Sequence, residues 1–88
     1  MQNNEFNDQF FAAVLTLKTR EECYKFFSDA CTPKEIATNA QRFAVAKMLN
    51  DTQVYSEIVK NTGASTATIS RVNRAINEGF QLAFERLK

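Results

Sequence analysis

Residues 62–74 (TGASTATISRVNR) gather the side chains with most to offer another molecule. They hold small hydroxyls, an amide and two guanidinium groups, and no carboxylate lies between Glu57 and Glu78. Arg71 and Arg74 can pair with phosphate oxygens or with N7 and O6 of guanine, and Asn73 has the donor and acceptor that match adenine. Thr66, Ala67 and Ser70 are short enough to let a backbone come close to base edges. With Tyr55, Ser56, Ser65 and Thr68 these residues form the candidate DNA-contact set. An ordinary helical hairpin whose polar side chains face water would carry some of the same residue types.

Other chemistries are poorly served. The chain has no histidine, and Cys23 and Cys31 have no third thiol to complete a tetrahedral metal set. No metal site is therefore expected. Glu21 and Glu22 are adjacent on one helix and point apart, as solvated charges do, and no phosphate-binding loop is present. Catalysis is excluded on these grounds. Cys23, among Tyr24, Phe26 and Phe27, reads as a packed core thiol and Cys31 as a helix-end residue, with a redox pair as the other reading.

The elements that must position the polar set can be read from spacing. Ile58 and Val59 face inward on a short helix opened by Tyr55, Gly63 supplies the left-handed turn, and Ser65 caps the next helix. Ile69, Val72 and Ile76 then form its buried stripe. This is the layout of a helix-turn-helix, in which one helix braces and the other reads. Val54 stands where a Ser or Thr cap would be expected, so the bracing helix should start loosely. Val59 stands where a smaller residue would let the two helices cross more closely.

With two glycines, one proline and no strand alternation, the whole chain reads as all-α. A first helix is expected from about residue 4 to 17, with Phe6, Phe10, Val14 and Leu17 on one stripe and Phe11 beside it. Thr19 with Glu22 opens a second helix that turns Cys23, Phe26, Phe27 and Ala30 inward. Thr32, Pro33 and Glu35 open a third, running to about Asn50 and burying Ile36, Ala40, Phe43, Val45, Ala46 and Leu49. A last apolar helix carries Phe80, Ala83, Phe84 and Leu87. The expected organisation is one domain over residues 1–88. Residues 1–52 would form core and dimerisation helices, 54–77 the helix-turn-helix and 79–88 a C-terminal dimerisation helix.

Eight phenylalanines are more than a small monomer readily hides, so a homodimer that shares helices is expected over an unusually aromatic monomer. Residues 1–52 hold six bases against seven acids, a net of −1, and residues 53–88 five bases against three acids, a net of +2. The basic excess falls on the reading half and is small, so non-specific DNA affinity should be weak and salt-dependent. No signal peptide or membrane-spanning run is seen, and a cytoplasmic location without membrane attachment is expected.

Four stretches carry a resemblance: 17–27 (LKTREECYKFF), 40–49 (AQRFAVAKML), 55–58 (YSEI) and 62–74. In these, over nearly its full length, the chain resembles the Trp repressor-like proteins, most closely the YerC/YecD type. The resemblance implies a six-helix, intertwined homodimer that presents two helix-turn-helix units to a palindromic operator on double-stranded DNA and represses by occlusion. It matches Thr66, Ala67, Thr68 and Ser70 to positions that approach bases or phosphates. Tyr55, Ser56 and Val59 replace longer polar or basic contacts, which implies a different operator.

The resemblance also implies where a corepressor would sit. Thr32 matches a threonine near the ligand amino group, and Arg42 and Arg71 match the arginines that flank bound tryptophan. Val72 replaces the glycine that leaves room for the indole ring, so no tryptophan cofactor is expected. Arg42 reads equally as a helix-surface arginine or an intersubunit ion pair, and Arg71 as a phosphate contact. A small-molecule effector is left unidentified. The competing function is a dimeric protein-interaction module that uses the same fold without sequence-specific DNA binding.

Overall fold

A computed structural model describes residues 4–87; residues 1–3 and 88, which belong to the expected first and last segments, lie outside it. Among the described residues the chain forms six α-helices and no strand: α1 (Glu5–Val14), α2 (Arg20–Ala30), α3 (Pro33–Asn50), α4 (Tyr55–Thr62), α5 (Thr66–Ala75) and α6 (Glu78–Arg86). They pack as two compact units, one ending at Ile36 and the other beginning at Ala37. No helix among the described residues is long and apolar enough to cross a membrane.

In the first unit, the Asn4 side chain accepts the Asn7 N–H at 2.8 Å and opens α1. The helix stops at Val14, three residues short of the expected Leu17. Thr16 and Leu17 donate to Ala13 and Val14, three residues back, and this tighter closing turn ends the α-helical geometry early. Thr19 Oγ1 caps α2 by accepting the Glu22 N–H at 3.1 Å, while the Glu22 carboxylate accepts from Lys18 N–H at 2.8 Å, one residue before the cap.

Phe10 meets Phe26 and Phe27 at centroid distances of 5.6 and 6.3 Å, and Phe26 meets Phe27 at 5.2 Å. Such pairs add about 0.5–1.5 kcal/mol each beyond the area they bury. Neither α1 nor α2 holds a fully buried residue. Cys23, expected in the core, is exposed, as is Ala30, because the inward stripe of α2 narrows to Phe26 and Phe27. Phe6, Phe11 and Leu15 are also open, at 79, 58 and 83 % exposure.

Thr32 caps α3 with the reciprocal pattern its sequence suggested. Its Oγ1 accepts the Glu35 N–H at 3.1 Å, and its own N–H donates to Glu35 Oε1 at 2.8 Å. The Thr32 N–H first, and the Thr32 hydroxyl second, hold the Glu35 carboxyl below its ordinary pKa.

The core of the second unit consists of Val45, Ala46, Ile58, Ala64, Ile69, Val72 and Phe84. Phe43 stacks its ring edge-on to Phe80 at 5.2 Å and lies 5.5 Å from Phe84, tying α3 to α6. Ala40, expected inside, is exposed: this core begins one turn later, at Phe43, so no neighbour covers it. The C-terminus of α3 closes with Thr52 N–H donating to the Leu49 carbonyl and Gln53 N–H to the Met48 carbonyl. This paired closure usually has glycine in the left-handed position. Here Thr52 occupies it, at φ 62°.

Candidate nucleic-acid interface

The bracing helix α4 begins at Val54 without a side-chain cap, as its sequence predicts. Glu57 in its first turn and Lys60 in its last suit the helix dipole at both ends. Ile58 is fully buried, and Val59 and the Tyr55 ring pack partly buried against the core. Ser56 is exposed. Packing of this apolar face, more than capping, holds an eight-residue helix that would be marginal alone.

Gly63 ends α4 in the left-handed region, at φ 74° and ψ 3°, with its N–H donating to the Val59 carbonyl at 2.9 Å. Thr62 organises the turn. Its hydroxyl donates to the Ile58 carbonyl at 2.7 Å and accepts the Ala64 N–H at 3.1 Å. Gln41 on α3 reaches the same residue, its Nε2 donating to the Thr62 carbonyl at 3.1 Å. Neither the Thr62 bonds nor the Gln41 bond follows from residue spacing. The only hint of the first was a Thr at the end of a helix, where hydroxyls commonly bond back four residues.

Ser65 caps α5: its Oγ accepts the Thr68 N–H at 3.1 Å and lies 3.1 Å from Thr68 Oγ1, to which it donates. Ile69 and Val72 form the buried side of α5. Thr66, Ala67, Arg71, Asn73 and Arg74 are exposed, whereas Thr68 and Ser70 are half-buried. The first turn carries no acid and the last turn carries Arg74. The ten DNA-contact candidates thus lie on α4, on α5 and at the α5 cap. The Ser65 and Thr68 hydroxyls already bond each other, so the freely presented groups of the first turn are Thr66 and Ala67.

Polar groups on such a face can meet phosphate oxygens and base edges, and the positive end of the α5 dipole lies at its start, beside Ser65 and Thr66.

The candidate ligand residues divide between the two units. Arg42 on α3 and Arg71 on α5 are exposed, and Val72 is 8 % exposed within the core cluster. The Val72 side chain packs in the core of its own unit, as its place on the buried stripe of α5 predicts. Thr32 belongs to the first unit, and its hydroxyl and N–H are both engaged in the α3 cap. Two open concavities in the second unit use other residues: one is lined by Leu49, Asn50, Asn73, Ile76 and Gln81, the other by Lys47, Asn50, Asp51, Phe84 and Leu87. Among the described residues no three His, Cys, Asp or Glu side chains come together as metal ligands would.

Residues 5–88 match the family model described as Trp repressor protein. The uncharacterized protein YerC of Bacillus subtilis (strain 168) is 51 % identical over 84 residues, which cover 92 % of this chain and 81 % of that one. Two crystal structures have the same fold. A TrpR-like protein from Eubacterium eligens superposes with a TM-score of 0.92 at 50 % identity, covering 97 % of this chain and 91 % of the other. A protein provisionally assigned as a Trp repressor, from Staphylococcus aureus, gives 0.90 at 44 % identity, covering 97 % and 88 %.

Proposed function

The chain belongs to the Trp repressor family, and from that premise we propose that it is a homodimeric, sequence-specific repressor that occupies a palindromic operator through its helix-turn-helix. The family is one of DNA-binding transcription regulators and not of enzymes. The observation that carries the proposal is α5 itself: capped at Ser65, buried along Ile69 and Val72, and free of acid on a face that presents Thr66, Ala67, Arg71, Asn73 and Arg74. Dimerisation is supported by the open apolar side chains of the first unit, above all Phe6, Phe11 and Leu15. We place the protein in the cytoplasm and without a tryptophan corepressor, since Val72 fills the position where the family has a glycine beside the indole.

The test is selection of duplexes from a random library by the purified protein at moderate salt. The expected result is an inverted repeat with half-sites about one helical turn, roughly 34 Å, apart. Arg71→Ala and Arg74→Ala should each weaken binding and lower the salt slope by about one per lost phosphate contact, about two per dimer. Absence of any enriched duplex would refute operator binding and favour the second reading, a protein-interaction module, which the small net charge of +2 over residues 53–88 also favours.

A further inference from the structure

We infer that Gln41, outside the helix-turn-helix, is the positioning residue that fixes the direction of its reading helix; the inference rests on the DNA-binding reading above. Thr62 is the last residue of α4, and its carbonyl is one of the terminal groups that a helix leaves without an internal partner. The half-buried Gln41 side chain supplies that partner from α3, 21 residues away in the chain. The other side-chain hydrogen bonds within residues 54–77 span four residues or fewer. Gln41 thus provides the polar link between the turn and the helix behind it.

The position of that link matters more than its strength. The Thr62 carbonyl and the Gly63 N–H belong to one planar peptide group, so holding the oxygen holds the plane. A change in ψ at Thr62 turns that plane and, unless φ at Gly63 compensates, swings every later atom of α5 with it. Gly63 has no side chain to oppose such a swing, and nothing lies within 4 Å of where its Cβ would stand. Thr62 adds two local bonds, to Ile58 within α4 and from Ala64 across the turn, and the Gly63 N–H of the same peptide group bonds the Val59 carbonyl. Those contacts all lie within residues 58–64, and Gln41 adds the anchor from another helix, off the α5 face offered to DNA.

A positioning role differs from a merely structural one in what it alters. A misdirected reading helix loses base contacts, while attraction to phosphates survives. The experiment uses the full chain with Gln41→Met, which keeps length and helix propensity but removes the donor, and Gln41→Glu, which keeps shape and presents an acceptor to the carbonyl. Amide hydrogen exchange at Gly63 and Ala64 is measured together with affinity for the selected operator and for random duplex.

In both variants exchange at the turn should rise, and operator affinity should fall, by roughly three- to tenfold, the range for one net hydrogen bond. Random-duplex affinity should stay the same. Equal losses on operator and random duplex, or an unchanged operator affinity, would overturn the positioning role even if the turn exchanges faster. Unchanged exchange would overturn the anchor itself. If the wild-type chain enriches no duplex, the DNA-binding reading falls first and takes this inference with it, a result distinct from enrichment with an indifferent Gln41.

Discussion

The same substitution at the two glycines should have opposite signs. Gly63 sits at φ 74°, whereas Gly79 lies in the first turn of α6 and is not at positive φ; a Cβ added at either would meet no atom within 4 Å. Sterics therefore cancel, and the backbone alone decides. Alanine at Gly63 must adopt the left-handed region, which costs about 1–2 kcal/mol. Loss of chain entropy in the unfolded state returns about 0.4–1 kcal/mol. The net is a destabilisation of about 1 kcal/mol, or about 4–8 °C in Tm for a chain of this size.

Alanine at Gly79 meets no strain and gains helix propensity, so it should stabilise by up to about 1 kcal/mol. The difference between the variants, about 1.5–2 kcal/mol, isolates the left-handed turn. Urea unfolding at fixed protein concentration, repeated at a second concentration to separate association from folding, measures both. Stabilisation by Gly63→Ala, or equal effects at the two sites, would refute the left-handed turn as the reason for glycine at 63. A loss well above 3 kcal/mol would refute the open space around it. Gly63→Asn should lose less than Gly63→Ala, because asparagine enters this region more readily.

Thr52 presents the mirror case: a β-branched residue at φ 62° in a closure that prefers glycine, so Thr52→Gly should raise the urea midpoint by up to about 1 kcal/mol in stability. Ser65→Ala removes the α5 cap and should destabilise by about 1 kcal/mol, with Ser65→Asn close to wild type in the same assay. The lowered Glu35 pKa gives a stabilising contribution that is present above its ordinary unfolded value and is lost as pH falls through the folded one. Carbon-detected NMR titration should find Glu35 below the ordinary glutamate value, and Thr32→Ala should move it upward. Val72→Gly removes core volume and places glycine mid-helix, at a combined loss of about 2–4 kcal/mol by urea unfolding. If Val72 is what excludes tryptophan, calorimetry should show binding to the glycine variant where it still folds and none to wild type. No binding to the folded variant would reject that steric account.

Local signals made much of the fold legible. A hydroxyl followed three residues later by a carboxylate marked the starts of α2 and α3, and the glycine and serine at 63 and 65 marked the turn and the α5 cap. Each acts within four residues, so spacing carries it. The acid-free polar run from Thr66 to Arg74 was equally plain, because residue type alone decides charge. Coverage was less legible. Helical periodicity says which side chains share a stripe, but not whether anything packs over them. Cys23, Ala30 and Ala40 keep their places on the helices and lie exposed.

The sequence by itself determined the six helices, the turn and the chemistry of the reading face, since these depend on propensity, capping and periodicity along neighbouring residues. Tertiary structure alone decided that Gln41 meets Thr62 and that Thr52 accepts a left-handed backbone. Each is set by how α3, α4 and α5 pack and close, so it depends on distances between residues that share no local pattern.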